Sequence, residues 1–267
     1  MSLLSKKIIQ ESILKITQSE QWIEYLKYFA ISCTRYSIQN SLLLFSQFPT
    51  ATYVAGKKQW QKRGRLVNDD AKPIILIAPE FEEYQLQLNG KNKVGKRVVG
   101  FKEIEVFDIS QTVPATEIAT PFMQVDLSNT KFVKDKAEDL LQALCKKFNV
   151  YMCEMKKDEN LEAFYSYSDG KIFVNKKLST LQKVKAICHE IGHKLLHSNT
   201  ILERALREVE AETFAFIILQ HFNLDTTSIS VDYITQWSQT IEMERLVLRL
   251  AEMEKAVKTF LKKMERV

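Results

Sequence analysis

The chain lacks any stretch approaching the roughly 18 consecutive apolar residues that a membrane-crossing helix needs, so no helical membrane span and no membrane partner are expected. Its first residues, Met1-Ser2-Leu3-Leu4-Ser5-Lys6-Lys7, lack the long apolar run of a secretory signal, and the expected compartment is the cytoplasm. Cysteine is sparse: Cys33, Cys145, Cys153 and Cys188 contain no Cys-x-x-Cys pair, which removes support for a zinc knuckle and leaves reduced, mostly buried thiols. Cys188 precedes His189 directly, but neighbouring helix positions point about 100° apart, so core packing is its expected role. No internal repeat and no low-complexity tract interrupts the chain.

What is present is an ordinary globular composition. The chain is 45% hydrophobic and 27% charged over 267 residues, enough for two modest domains or one large one. The +5 formal charge is uneven: residues 1–125 hold 16 Lys or Arg against 12 acids, whereas 126–267 hold 22 against 21. The excess in the first part permits a polyanionic partner there without demanding one.

Hydrophobic spacing divides the chain. Trp22, Tyr25, Leu26 and Phe29 recur at helical spacing between about Gln18 and Ser32, and a second helix is expected from about Ser37 to Phe48, closed by Pro49. Strands are expected at Thr52–Ala55, at Ile74–Ala78 with Pro79 as its end, and at Ile104–Ile109. Gly56 to Arg65 reads as a helical turn running into a loop at Gly64, and Leu86–Arg97 as a basic hairpin or insertion. Residues 112–130, with Pro114, Pro121 and a run of Thr, Ser and Asn, make the best boundary, giving domains 1–125 and 126–267. Beyond it come a helix near Lys134–Phe148, strands near Val150–Cys153 and Ala163–Tyr167, an Asp169-Gly170 turn and a strand from Lys171. Helices follow from Ser179, over about Leu206–Gln220 and over Thr240–Lys263. The last carries Leu246, Leu250, Met253, Val257 and Leu261 on one face, read as domain packing. The fold class is α+β: a small N-terminal domain of helices with an antiparallel sheet, then a mainly helical domain with a small sheet.

The chemistry concentrates on the helix beginning at Ser179. Ser179-Thr180-Leu181-Gln182 fits a capping box, and Val184, Ile187, Cys188, Ile191 and Leu195 mark its buried stripe. His189 and His193 lie four apart, so both imidazoles project from one face and can share one Zn2+ ion. Glu190, one position round the helix, cannot readily ligate with them but can take a proton from a zinc-bound water as general base. All four histidines, His189, His193, His197 and His221, fall in this region. A catalytic zinc needs a third protein ligand and an open position. Glu208, Glu210 and Glu212 fall together on the next helix; Glu210 is turned about 200° from Glu208, whereas Glu208 and Glu212 share a face. Glu208 is the expected ligand, with Glu212 behind it orienting a histidine or charging the pocket. His197 continues the face of the other two histidines and remains open as an alternative ligand or a supporting group, while His221 is read as unrelated.

The segment from His189 to His197, followed by Glu208-Val209-Glu210-Ala211-Glu212-Thr213-Phe214-Ala215, resembles the signature of the ImmA/IrrE-type zincins. That resemblance implies a metal held by the two motif histidines and a glutamate of the later helix, and selects Glu208. The first half resembles the N-terminal single-stranded-DNA-binding domain of ArdC-type antirestriction proteins, through Tyr36–Leu44, Gln47–Gly56, Trp60, Gly64-Arg65 and Val106–Thr112. ArdC-type proteins join the same two modules in the same order; they are carried by plasmids and other mobile elements and bind incoming single strands. The resemblance therefore implies a mobile-element antirestriction role, with non-sequence-specific single-stranded DNA and a peptide or protein substrate as partners. The residues add their own support, since single-strand binders combine cations along a groove with aromatic faces. Lys57, Lys58, Trp60, Lys62, Arg63 and Arg65 offer both, and Tyr53 and Tyr36 add faces. Two other readings stand beside this: an ImmA-like protease that cleaves a regulatory protein, and a zinc-stapled binding module without chemistry.

Overall fold

A computed structural model describes residues 21–88, 91–115, 136–155, 161–198, 202–227 and 243–265, with the isolated positions 11 and 16. Most of the expected boundary stretch, from residue 116 onward, lies outside the described residues. The chain divides into two units, one of residues 1–16 with 39–123 and the other of 17–38 with 124–267. The first expected helix, α1 (Gln21–Ser32), thus clusters with the C-terminal unit and not with the residues that follow it. Both units mix helix with sheet, and the second is mainly helical, as the α+β reading required.

In the first unit the central element is a long hairpin of β3 (Ile74–Leu88) and β4 (Lys91–Asp108), with β1 (Val54–Ala55) pairing on the other side of β4. A second small pair joins β2 (Arg65–Val67) to β5 (Thr112–Pro114). One expectation changes here. Pro79 does not end the strand, because β3 is the edge of its sheet, where a residue without an N–H is tolerated. Of the two readings of Leu86–Arg97 the hairpin holds: it is the outer part of the β3–β4 pair, whose register runs from Ile74↔Val106 to Leu88↔Lys91 with one shift at Glu80/Phe81. Its cations are also not wholly open, since Arg97 pairs with Glu82 at 2.7 Å and Lys96 with Glu83 at 3.1 Å, each directly across the ladder.

The exposed edge of β3 is closed by side chains. Asn40 and Gln47 are seven apart on α2 (Ile38–Gln47), two turns along one face. The Asn40 amide donates to Ile77 O at 2.9 Å and accepts from Ile77 N at 3.0 Å. Gln47 does the same with Ile75, at 2.9 Å each way. Two amide side chains thereby stand in for a neighbouring strand and cover a row of unpaired backbone groups.

In the second unit, β6 (Val150–Cys153) runs parallel to β8 (Lys171–Asn175) and β7 (Ala163–Ser166) antiparallel to it. The turn before β8 uses Gly170 at φ +64°, a left-handed conformation that glycine adopts without a Cβ penalty. Against this sheet and one another pack α4 (Lys136–Lys147), α5 (Thr180–His197), α6 (Arg204–His221) and α7 (Met243–Glu265). The α3 helix (Lys57–Lys62) belongs to the first unit. The core is aromatic and aliphatic: Phe214, Phe216 and Ile217 of α6 and Leu246, Leu250, Met253, Val257 and Phe260 of α7 are buried. The α7 stripe is therefore domain core, as its spacing suggested. Trp22, Tyr25 and Phe29 of α1 stack in sequence, and the Tyr25 hydroxyl donates to Ile38 O at 3.2 Å.

Candidate metal centre and nucleic-acid face

The site is assembled by two helices, α5 and α6, in close approach at Gly192. The Ser179 hydroxyl accepts from Gln182 N while the Gln182 side chain accepts from Ser179 N, so the expected capping box fixes where α5 starts. Gly192 sets how near α6 can come: a Cβ there would meet Ala211 Cα at 3.1 Å, Phe214 Cδ1 at 3.2 Å and Ala211 O at 3.3 Å. Only the missing side chain allows the acids of α6 to reach the histidines of α5.

At that crossing three donor atoms converge. His189 Nε2 and His193 Nε2 are 3.0 Å apart, and Glu208 Oε2 lies 3.3 Å from the first and 3.4 Å from the second. Ligands about 2.0–2.1 Å from a tetrahedral ion stand roughly 3.3 Å from each other, so this triangle fits one face of such a site. Among the described residues this is the group of His, Cys, Asp or Glu side chains able to hold a metal ion. The structure thus brings Glu208 together with His189 and His193.

Each histidine is held from behind. His189 Nδ1 faces Glu212 Oε2 at 3.3 Å, and the other Glu212 oxygen takes Lys185 Nζ at 2.8 Å. His193 Nδ1 faces His197 Nδ1 at 3.1 Å, and His197 Nε2 faces Glu210 Oε2 at 2.9 Å. His197 is consequently placed behind His193, with both ring nitrogens occupied away from the triangle, and not as a third ligand. His221 is unrelated to the cluster: its Nδ1 donates to Ala30 O at 2.7 Å.

Glu190 lines a cleft of about 420 Å³ together with His189, Glu208, Glu212 and the Leu161–Ala163 approach to β7. Its Oε2 accepts from Tyr165 N at 2.8 Å. Burial pushes the Glu190 carboxyl above the ordinary glutamate range, against the pull of His189 and His193. Burial alone would depress His189, but the carboxylates of Glu208 and Glu212 outweigh it and raise the imidazole to about 9. Hydrogen bonds from His189 and His193 hold Glu208 well below the usual carboxylate range. With Glu208 and Glu212 favouring the proton on His189, a metal must displace that proton to bind.

The basic segment of the first unit divides in the structure. Trp60 is fully buried with Ala55 and Phe107, its Nε1 donating to Phe107 O at 2.9 Å. Its ring faces are packed, so the expected base-stacking role does not hold for this residue. Arg65 is half-buried and committed to Thr112, whose Oγ1 and O accept from it at 2.6 and 2.8 Å. Lys57, Lys58, Lys62 and Arg63 are exposed on and beside α3. Arg63 lies over the half-buried Tyr53 ring at 5.1 Å and over the Trp60 ring at 5.6 Å, each measured to the ring centroid.

Several functional side chains were not singled out from sequence. Lys185 stands four before His189 on α5, a spacing from which it could have been found. Arg249, bonded to Glu210, sits on a helix whose seat no local signal reveals. The Tyr165 contact is made by a backbone N–H and carries no side-chain signature.

The paired-helix His/His/Glu cluster with its neighbouring glutamate is a candidate metal site in the second unit. The comparisons agree: residues 145–238 match the IrrE N-terminal-like domain of the M78 peptidases, and residues 5–107 match the N-terminal domain of anti-restriction factor ArdC. The chain thus joins an ArdC-like N-terminal domain to an IrrE/M78-like peptidase domain. It is similar to the antirestriction ArdC protein from the R388 plasmid. With the Mn(II)-bound crystal structure the TM-score is 0.60 at 13% identity, covering 100% of this chain and 99% of that one. With the metal-free structure it is 0.50 at 15% identity, covering 86% and 85%. An uncharacterized protein of Bacillus anthracis is 25% identical over 93% of this chain, which spans 49% of that relative's length. No helix among the described residues is long and apolar enough to cross a membrane.

Proposed function

We propose that this is a mobile-element protein that binds single-stranded DNA through its ArdC-like unit and hydrolyses a peptide bond in its M78-like unit, in an antirestriction role. The observation that carries the peptidase reading is the convergence of His189 Nε2, His193 Nε2 and Glu208 Oε2 next to a cleft that His189, Glu208 and Glu190 line together. These three residues hold the metal, with Zn2+ the expected ion for two imidazoles and a carboxylate; the ArdC relative crystallised with Mn(II) makes manganese the competitor to measure. When bound, the ion supplies Lewis-acid polarisation of a carbonyl and lowers the pKa of water. The residues supply the rest. Glu190, fixed through one oxygen by Tyr165 N–H, uses the other to take a proton from the attacking water and return it to the leaving amine. Its raised pKa suits both halves of that transfer.

The DNA reading rests on the match of residues 5–107 and on the exposed Lys57, Lys58, Lys62 and Arg63. Aromatic stacking passes from Trp60 to Tyr53, the ring left half-exposed beside Arg63.

Two experiments test the two halves. Wild type and Glu190→Gln, with metal content verified for Zn and Mn, are incubated with a natural host extract and new peptide termini are mapped. Termini produced by wild type alone are expected; identical patterns would defeat the peptidase reading. Affinity for a labelled oligonucleotide is then measured against salt, where each lost phosphate contact flattens the log–log slope by about 0.7. Lys57→Ala with Lys58→Ala and Lys62→Ala is expected to flatten it; an unchanged slope and affinity would remove these residues from the DNA path.

A further inference from the structure

The two ligand histidines are supported differently. Behind His189 stands one carboxylate, Glu212, neutralised by Lys185 of the same helix α5. Behind His193 the support extends to another helix altogether. To present Nε2 to an ion, His193 must carry its proton on Nδ1, which then donates to His197 Nδ1 at 3.1 Å. That assignment places the proton of His197 on Nε2, where it donates to Glu210 Oε2 at 2.9 Å. Arg249 of α7 completes the chain as a fork: its Nε donates to Glu210 Oε1 at 2.6 Å and its terminal nitrogen to Glu210 Oε2.

Every step has one donor and one acceptor, and the tautomers are mutually consistent from the guanidinium to the metal-facing nitrogen. The Glu210 side chain is 1% exposed, that of His197 0% and that of Arg249 12%. Burying a carboxylate and a guanidinium this deeply is costly unless their hydrogen bonds are filled, and replacing such a pair by apolar residues is often stabilising. A plain staple between α6 and α7 has no need of an imidazole relay ending on a ligand ring.

We propose that Arg249 is a positioning residue for the metal centre, acting through Glu210 and His197 to fix the ring orientation and tautomer of His193. This rests on the metal reading above. Because binding is linked reciprocally to any structure it favours, ion binding in turn steadies the seat of α7.

The test uses the full chain with Co2+ as a spectroscopic probe, which reports ligand geometry independently of hydrolysis, and a competing chelator to measure affinity. Arg249→Met and His197→Asn are compared with wild type, with Arg249→Lys as the conservative variant. We expect about a 10–100-fold loss of affinity for the first two, a shifted ligand-field spectrum, and partial recovery in Arg249→Lys. Circular dichroism identifies any variant that fails to fold; His197→Asn keeps the Glu210–Arg249 pair and so breaks the relay without removing the staple. Hydrogen exchange in α7 should slow on Co2+ addition in wild type and not in His197→Asn. Wild-type affinity and spectrum in folded Arg249→Met and His197→Asn would overturn the proposal while leaving the metal site intact. If Co2+ binding to wild type is absent or is unaffected by His193→Ala, the metal reading fails and the proposal falls with it.

Discussion

Replacing Gly192 by alanine sets two effects of similar size against each other, and the structure decides between them. Alanine is favoured over glycine by about 0.8–1.0 kcal/mol in a helix interior, so Gly192→Ala should stabilise α5 taken alone. The new methyl would stand 3.1 Å from Ala211 Cα, 3.2 Å from Phe214 Cδ1 and 3.3 Å from Ala211 O. Two of these three are backbone atoms of α6, which cannot rotate away, and the Phe214 ring is itself buried. Relief requires α5 and α6 to separate by a few tenths of an ångström, and overpacking of this kind costs about 1–3 kcal/mol. The clash wins, leaving a net loss of about 1 kcal/mol, or about 2–4 °C in melting temperature for a chain of this size.

The same separation acts on the donor triangle, because His189 and His193 ride on α5 and Glu208 on α6. Metal affinity should therefore fall together with stability, and the rise in melting temperature produced by saturating Zn2+ should shrink relative to wild type. Thermal melts followed by circular dichroism, with and without the ion, measure both effects. A variant that melts at or above the wild-type temperature and keeps its full metal-induced shift would refute the argument that Gly192 exists to admit α6.

Asp108→Ala should destabilise the first unit by about 3 kcal/mol or more, since Thr52 N, Tyr53 N and Ser110 N all lose their carboxylate acceptor; Asp108→Asn should recover part of this, and an unchanged denaturation midpoint would contradict it. His221 is depressed by burial, with its Nδ1–H spent on Ala30 O, so its folded pKa lies below the unfolded value of about 6.5. The neutral form is the one the fold favours, and its contribution to stability is complete above that unfolded value and lost as pH falls below it. Denaturation at pH 7.5 and pH 5.5 should show a smaller pH-dependent loss in His221→Asn than in wild type, and equal losses would sink the assignment.

The parts of the site legible in the sequence were those carried by helical spacing. His189 and His193 at four residues, the Ser179 cap, and Glu208 and Glu212 on a shared face all follow from one helix period, and in the structure Glu208 and Glu212 both face His189. Glu210 shows the other side of the same rule: rotated away from the metal, it is free to face His197 and Arg249. What the sequence hides is set by packing between elements. Arg249 lies 39 residues beyond Glu210, and only the docking of α7 on α6 brings them together. The sheet hid in a different way, because Pro79 reads as a stop until the strand carrying it is known to be an edge.

The residues that carry the ArdC resemblance turn out, for the most part, to build the first unit. Asn40 and Gln47 close the edge of β3, Trp60 anchors the small core, and Asp108 with Gln111 forms a capping box that also grips Thr52 and Tyr53. Such residues are held by backbone hydrogen-bonding needs, which any partner on the surface leaves unchanged. The resemblance therefore transfers a scaffold more securely than it transfers a DNA path. Under the proposed DNA reading, Arg65 is the cation the scaffold itself uses, through Thr112, whereas Lys96 and Arg97 form exposed pairs with Glu83 and Glu82. Lys57, Lys58 and Lys62 are exposed on one short helix, Lys57 lying over the Phe107 ring, and Arg63 at its C-terminal end lies over the half-buried Tyr53. A compact cationic face with a single ring can hold backbone phosphates and stack one base, which is the chemistry of binding without sequence preference.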